Sequence, residues 1–235
     1  PPPPPPPPPH FQAEDGIRDF LLSLVGSEMC IRDSCYRVRA ALGFAGLDFE
    51  RRDYDEPAAE REWRSLTPAK TVPVMVEDDL VLTDSAVMLE YLQDRNGMLL
   101  PEAPAARARA RTLLQYADNP LGRGSREVVF AKRGKPESEW DAERIAAGTK
   151  QFVESLPHLE GLLEDRDSFF DGYTYADSAL STRLCLSAAY GLEVPEDYPR
   201  LRDWFMARLA EPWLLTASPP VVIGWIRQEF ARAAG

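Results

Sequence analysis

From residue 35 onward, the apolar positions follow spacings that predict defined elements. Val38, Ala41, Leu42 and Ala45 fall on one face of a helix, and Gly46 supplies the left-handed residue that commonly ends one. The stretch DFERRDYD then alternates as a strand does, and PAAEREWRSL predicts a short helix with proline in its first turn. We therefore expect a helix, a strand and a second helix in this order.

A hairpin and a third helix are predicted next. Two short β-rich runs, Val72 to Val76 and Leu80 to Leu82, are joined by an acidic two-residue turn of the kind that hairpins use. The stretch DSAVMLEYLQDRNG predicts a helix that Asp84 or Ser85 caps and that the Asn-Gly pair at 96–97 ends.

Beyond residue 97 the strand signals disappear. Residues 98–104 contain two prolines and predict a linker, and the pattern after them is helical throughout, as in the i, i+4, i+7, i+11 apolar stripe of Phe152 to Leu163. The sequence therefore predicts an α/β domain at residues 35–97 and an all-helical domain at residues 105–235.

The first 34 residues do not share this patterning. Residues 1–9 are all proline, which favours a solvated polyproline II rod without internal hydrogen bonds. The stretch that follows has no sustained period, and its pieces AEDGIRD and SEMCIRDS resemble read-through translation of sequencing-library adapters. We predict that residues 1–34 are a foreign or disordered segment. The alternative is a genuine proline-rich arm that binds an SH3 or WW domain.

The composition of the chain argues against several classes of function. Apolar residues make up 44 % of the chain and charged residues 28 %, which is ordinary for a water-soluble globular protein. The net charge of −11 argues against a nucleic-acid partner, and the longest N-terminal apolar run is too short to span a membrane. Cys30, Cys35 and Cys185 form no metal-ligand or disulfide spacing, so we expect no metal site and a reducing, cytoplasmic setting.

The block SLTPAKTVPVMVEDDLVLTDSAVMLEYL resembles the glutathione-site block of the glutathione transferase family. That resemblance implies a thioredoxin-like domain whose first strand is missing here, and glutathione as cosubstrate. It implies a cis bond between Val72 and Pro73, which would turn the polar backbone groups of Val72 toward the cysteinyl residue of glutathione. Ser85 at the helix start would hold the γ-glutamyl carboxylate and Asp84 the ammonium, with Thr71 also in the site.

The start of the first predicted helix, SCYRVRAAL, resembles the helix that carries the thiol-activating donor in this family. In members with an S-x-x-C-Y-[KR]-V-R start, the donor serine lies three residues before the cysteine, a position held here by Arg32. Ser34 and Cys35 therefore remain as catalytic candidates, because a helix N-terminus stabilises a thiolate. The alternative for Cys35 is a buried packing residue.

The helical half carries DGYTYADSAL, which resembles the family's capping motif, with Thr174 as the cap and Asp177 as the reciprocal residue. The family resemblance implies a homodimer and a small electrophilic substrate. Three functions stay open: a glutathione transferase, whose donor residue is lost from this chain and which is then inactive; a non-catalytic interaction module of the same fold; and a maleylacetoacetate isomerase-type enzyme.

Overall fold

The computed structural model describes residues 22–24, 33–53, 57–67 and 71–233. The polyproline segment and Arg32 lie outside these residues, as do Cys30 and most of the stretch predicted to be foreign. The α/β part contains the elements β1 (Leu22–Leu24), α1 (Asp33–Ala45), β2 (Arg51–Asp53), α2 (Pro57–Leu66), β3 (Met75–Glu77), β4 (Leu80–Leu82) and α3 (Ser85–Asn96).

Strand β1 corrects one detail of the predicted fold. Leu22–Leu24 pair in parallel with Arg51–Asp53, so the position of the first strand is filled rather than missing. The physical reason is that ladder hydrogen bonds join main-chain groups, so an extended apolar segment can pair with an exposed strand edge whatever its origin. The four strands form two separate pairs, β1 with β2 and β3 with β4.

The predicted local signals between residues 75 and 97 are present. β3 and β4 form an antiparallel hairpin, and Asp78 in its turn has a positive φ of 52°, as a tight two-residue turn requires. Helix α3 begins after Asp84 and ends at Gly97, whose φ of 76° is left-handed.

After α3 every described element is helical. These elements are α4 (Pro104–Asp118), α5 (Pro120–Lys132), a short 3₁₀ turn (Glu137–Glu139), α6 (Ala142–Leu162), α7 (Tyr175–Ala189), α8 (Pro199–Leu209), α9 (Pro212–Ala217) and α10 (Pro220–Ala233). The capping box of α7 is confirmed, because the Thr174 side chain accepts from Ala176 N–H and the Asp177 carboxylate accepts from Thr174 N–H.

Helix α6 continues through Pro157, and His158 after it is exposed. One expectation from the sequence about helices needs correction. Helix α1 is buried around most of its surface rather than along one face, because it lies between α3 on one side and α7 and α9 on the other.

One apolar core runs through both parts of the chain. It joins residues of α1 and α3, such as Leu42 and Leu89, to residues of the later helices, such as Phe152 and Leu180. The division at residues 98–104 therefore stays a prediction. A second, smaller cluster beneath the hairpin contains Cys35, Trp63, Val72 and Val74.

Candidate functional site

The β3–β4 hairpin brings the two halves of the predicted glutathione site to the same end. Met75 pairs with Leu82 at the open end of the hairpin, Pro73 lies two residues before Met75, and Ser85 lies three residues after Leu82. Val72 and Ser85 therefore each lie three residues beyond the last pair of the hairpin, on its two outer sides. The Val72–Pro73 bond is cis, as expected.

Asp84, and not Ser85, caps helix α3. Its Oδ1 accepts from Ala86 N–H at 2.8 Å and from Val87 N–H at 3.1 Å, which satisfies two of the unpaired donors of the first turn. Ser85 is the first residue of the helix and is half-buried. Among the residues that the structure describes, none forms a hydrogen bond with the Ser85 hydroxyl.

The segment before the cis bond is fixed by two side chains that the sequence did not single out for the site. Trp63 Nε1 donates to the Thr71 carbonyl at 3.0 Å, and Thr71 N–H donates to Thr67 Oγ1 at 3.3 Å. Val72 is 6 % exposed and packs on Trp63. A tryptophan eight residues before a Thr-Val-Pro sequence was the available signal, but spacing alone does not reveal an indole-to-carbonyl bond.

The two candidate thiol-activating residues differ in their exposure to solvent. Cys35 is 0 % exposed and packs with Trp63, Val72 and Val74, so its contacts are those of a core residue and favour the packing alternative. Ser34 is half-buried at the second position of α1 and lines a cavity of about 210 Å³. The catalytic role of either residue stays a prediction.

Comparisons with known proteins give the family. Residues 34–95 match the family described as "Glutathione S-transferase, N-terminal domain". Glutathione S-transferase U2 of Arabidopsis thaliana is 30 % identical over 181 residues, which cover 72 % of this chain and 76 % of that protein. The chain belongs to the glutathione S-transferase family.

One further protein and one solved structure are also similar to the chain. FtsZ-localized protein A of Caulobacter vibrioides is 28 % identical over 192 residues, covering 75 % of this chain and 82 % of that protein. The glutathione-bound structure of the theta class glutathione S-transferase of Xanthomonas axonopodis pv. citri has a TM-score of 0.73 at 22 % identity. It covers 84 % of this chain and 96 % of that one, and it establishes the fold alone.

A buried charge cluster joins α1 of this family member to its helical half. Arg37 Nη1 donates to Asp118 Oδ2 at 2.9 Å, Arg37 Nη2 lies 2.5 Å from Asp33 Oδ2, and Arg183 contacts the Asp33 carboxylate. Burial alone would raise the pKa of Asp33, but Arg183 and Arg37 outweigh it and lower that pKa to about 2. The carboxylate of Asp33 therefore stays charged inside the protein.

Other cysteine and tryptophan side chains lie in structural positions. Cys185 lies in α7 within the core, where burial raises the pKa of its thiol to about 12, so it is an inert packing residue. Trp204 and Trp213 are buried in the core as well. None of the helices described combines the length and apolar content that crossing a membrane requires, and the described residues contain no group of three potential metal ligands.

Proposed function

We propose that the chain is a glutathione transferase that binds glutathione beside the hairpin and activates its thiol for attack on an electrophile or for thiol exchange. The observation that carries this proposal is the hairpin register, which brings the backbone of Val72 and the start of α3 to one end. An extended peptide could then pair with the Val72 backbone while its amino-acid end meets the helix start.

Each group at the helix start suits one part of glutathione. The Ser85 hydroxyl and the N–H groups of the first turn are donors for the γ-glutamyl carboxylate, and the partial positive charge of the helix N-terminus favours that anion. Asp84 uses Oδ1 for the cap and is exposed, which leaves its second oxygen for the ammonium. The family membership and the glutathione-bound fold neighbour support the same ligand.

Groups at the N-terminus of α1 would activate the thiol of glutathione. Ser34 is the half-buried hydroxyl there, and Cys35 beside it belongs to the same apolar cluster as Val72, so the sulfur of a peptide lying along Val72 would come close to this helix start. A hydroxyl donor and the helix dipole both stabilise a thiolate. The expected loss of the donor that Arg32 replaces lies outside the described residues.

The test is glutathione binding measured by isothermal titration calorimetry. Ser85→Ala should weaken binding by roughly tenfold or more, because it removes a hydrogen bond to a charged group. Asp84→Asn should also weaken binding while leaving stability unchanged, because asparagine caps a helix as well as aspartate does. Thr83→Ala is the matched control, since Thr83 is an exposed neighbour outside the helix. Full retention of binding by the Ser85→Ala, Asp84→Asn double variant would refute the site.

The similarity to FtsZ-localized protein A favours one alternative, a protein-interaction module that does not transfer thiols. The complete burial of Cys35 fits this alternative, because it removes the stronger nucleophile from solvent. Steady-state conjugation of glutathione to 1-chloro-2,4-dinitrobenzene separates the two functions. Binding of glutathione without conjugation would favour the module. The isomerase activity, the homodimer and the cytoplasmic location stay predictions.

A further inference from the structure

The cavity at the start of α1 has an unusual lining for an acidic protein. It measures about 210 Å³ and is walled by Val129, Phe130 and Leu186, with Arg126, Arg133 and Arg183 around it. A cavity of roughly 150 Å³ holds a benzene ring, so this one has room for a single substituted ring.

The charges at the cavity do not balance. Among the residues that the structure describes, four guanidiniums lie at the cavity and the cluster beside it, those of Arg37, Arg126, Arg133 and Arg183, whereas the described carboxylates there are Asp33 and Asp118. The excess of two positive charges stands against a net charge of −11 for the whole chain. Because Arg183 is almost fully buried, little water screens this field at the inner end of the cavity.

The guanidiniums of Arg126 and Arg183 both come close to Gly122, which has no Cβ to obstruct them. A Cβ at this position would lie 3.0 Å from Arg183 Nη2 and 3.2 Å from Arg126 Nη1. Arg183 Nε donates to the Ala117 carbonyl at 3.1 Å, and Arg126 Nη1 donates to the Asp118 carbonyl at 2.9 Å. These two guanidiniums are therefore held in place by the backbone at the end of α4.

Arg133 is the guanidinium that remains for a ligand. It is half-buried, lies over the Phe130 ring with its Cζ 5.5 Å from the ring centroid, and forms no ion pair with any residue in the described part of the chain. Phe130 is itself 41 % exposed, so the pair presents an aromatic face and a positive charge together. A planar carboxylate is the anion that a guanidinium binds best, through two parallel hydrogen bonds.

We propose that this cavity binds the electrophilic substrate and selects aromatic electrophiles that carry a carboxylate, with the ring against Phe130 and the carboxylate on Arg133. The inference rests on the proposed function for the reaction itself. With a chloro-substituted ring as the electrophile, the glutathione sulfur forms a bond to the ring carbon that carries the chlorine. The carbon–chlorine bond breaks, chloride leaves with the bonding pair, and the thiol proton passes to solvent. No oxidant or reductant is needed.

The first experiment measures binding without chemistry. Quenching of tryptophan fluorescence by 3,5-dinitrobenzoate and by its neutral isostere 3,5-dinitrobenzamide should give an affinity about tenfold higher for the carboxylate. Arg133→Gln should remove this preference, and Arg133→Lys should restore part of it. Arg123→Gln is the matched control, because Arg123 is an exposed arginine of α5, the helix that Arg133 directly follows, and it does not line the cavity. Its preference should equal that of the wild type.

The second experiment measures turnover with 4-chloro-3,5-dinitrobenzoate and 4-chloro-3,5-dinitrobenzamide. The carboxylate should have the lower KM by about tenfold, and Arg133→Gln should equalise the two values. Equal affinities of the wild type for the two non-reactive probes would overturn the inference, as would a preference that survives Arg133→Gln. Because probe binding needs no glutathione, failure of the proposed transferase activity would appear separately, as absent turnover despite selective binding.

Discussion

Gly124 lies where helices α5 and α6 cross, and its replacement by alanine tests the packing that supports the helical half of the chain. A Cβ on Gly124 would lie 2.4 Å from the Gly148 carbonyl oxygen and 2.4 Å from the Phe152 nitrogen. Ordinary contacts of a Cβ fall between 3.4 and 4 Å, and the obstructing atoms belong to backbone that cannot rotate away. The two helices must therefore separate by about 1 Å, in an interior packed as densely as an organic crystal.

The size of the effect follows from two opposing contributions. Overpacking of a core costs about 1–3 kcal/mol and occasionally more. Replacing glycine by alanine inside a helix returns about 1 kcal/mol because alanine loses less backbone entropy. Gly124→Ala should thus lower the free energy of unfolding by up to about 2 kcal/mol, and by more if the helices resist separation. Gly224→Ala in α10 is the matched control, since Gly224 is exposed and a Cβ there meets nothing within 4 Å.

Urea denaturation followed by far-ultraviolet circular dichroism measures both variants. We expect the midpoint of Gly124→Ala to fall and that of Gly224→Ala to rise by the equivalent of about 0.5–1 kcal/mol, with the slope m unchanged in both. A Gly124→Ala variant as stable as Gly224→Ala would refute the close approach of the two helices. Gly148→Ala should behave like Gly124→Ala, because its Cβ would lie 2.9 Å from the Gly124 carbonyl oxygen.

Three further outcomes follow from buried charges and from the start of α1. Burial raises the pKa of Asp177 to about 6, so the folded chain holds this proton more tightly than the unfolded chain. The free energy of unfolding should fall by about 3 kcal/mol as the pH rises from about 4 to about 7, and Asp177→Asn should flatten this part of the profile measured by urea denaturation. Asp118→Asn should lower the free energy of unfolding by about 2 kcal/mol or more in the same assay, because it leaves buried guanidiniums short of a carboxylate; an unchanged midpoint would contradict the cluster. Ser34→Ala should lower kcat for conjugation by about 100-fold, the effect of losing one donor to a developing anion, whereas Cys35→Ala should retain activity. The reverse order of the two variants would make Cys35 the activating residue.

Features that depend on residues close together in the chain were predictable. The hairpin turn, the start of α3 at Asp84 or Ser85 and its stop at Gly97 each need only a few neighbouring residues, because the hydrogen bonds and φ values involved are local. The capping box of Thr174 and Asp177 belongs to the same class, since its two partners are three residues apart.

Features that depend on which elements meet were not predictable. Helix α1 has a one-sided apolar pattern, yet it is buried nearly all round. Its arginines find polar partners inside the protein, because Arg37 pairs with Asp118 and Arg39 donates to the Ala217 carbonyl. The pairing of Leu22–Leu24 with β2 also depends on the tertiary structure, since any extended segment can supply the main-chain groups that a strand edge accepts.

By itself, the sequence determined the local frame of the proposed glutathione site: a Val-Pro segment before a hairpin, and a helix that begins at the Asp-Ser pair after it. The tertiary structure decided what surrounds that frame. It buried Cys35 in one cluster with Val72, fixed the Thr71 carbonyl with the Trp63 indole, and gathered guanidiniums from α1, α5 and α7 around one cavity. Hydrogen bonds within a turn are set by covalent neighbours, whereas burial and charge balance are set by residues that only folding brings together.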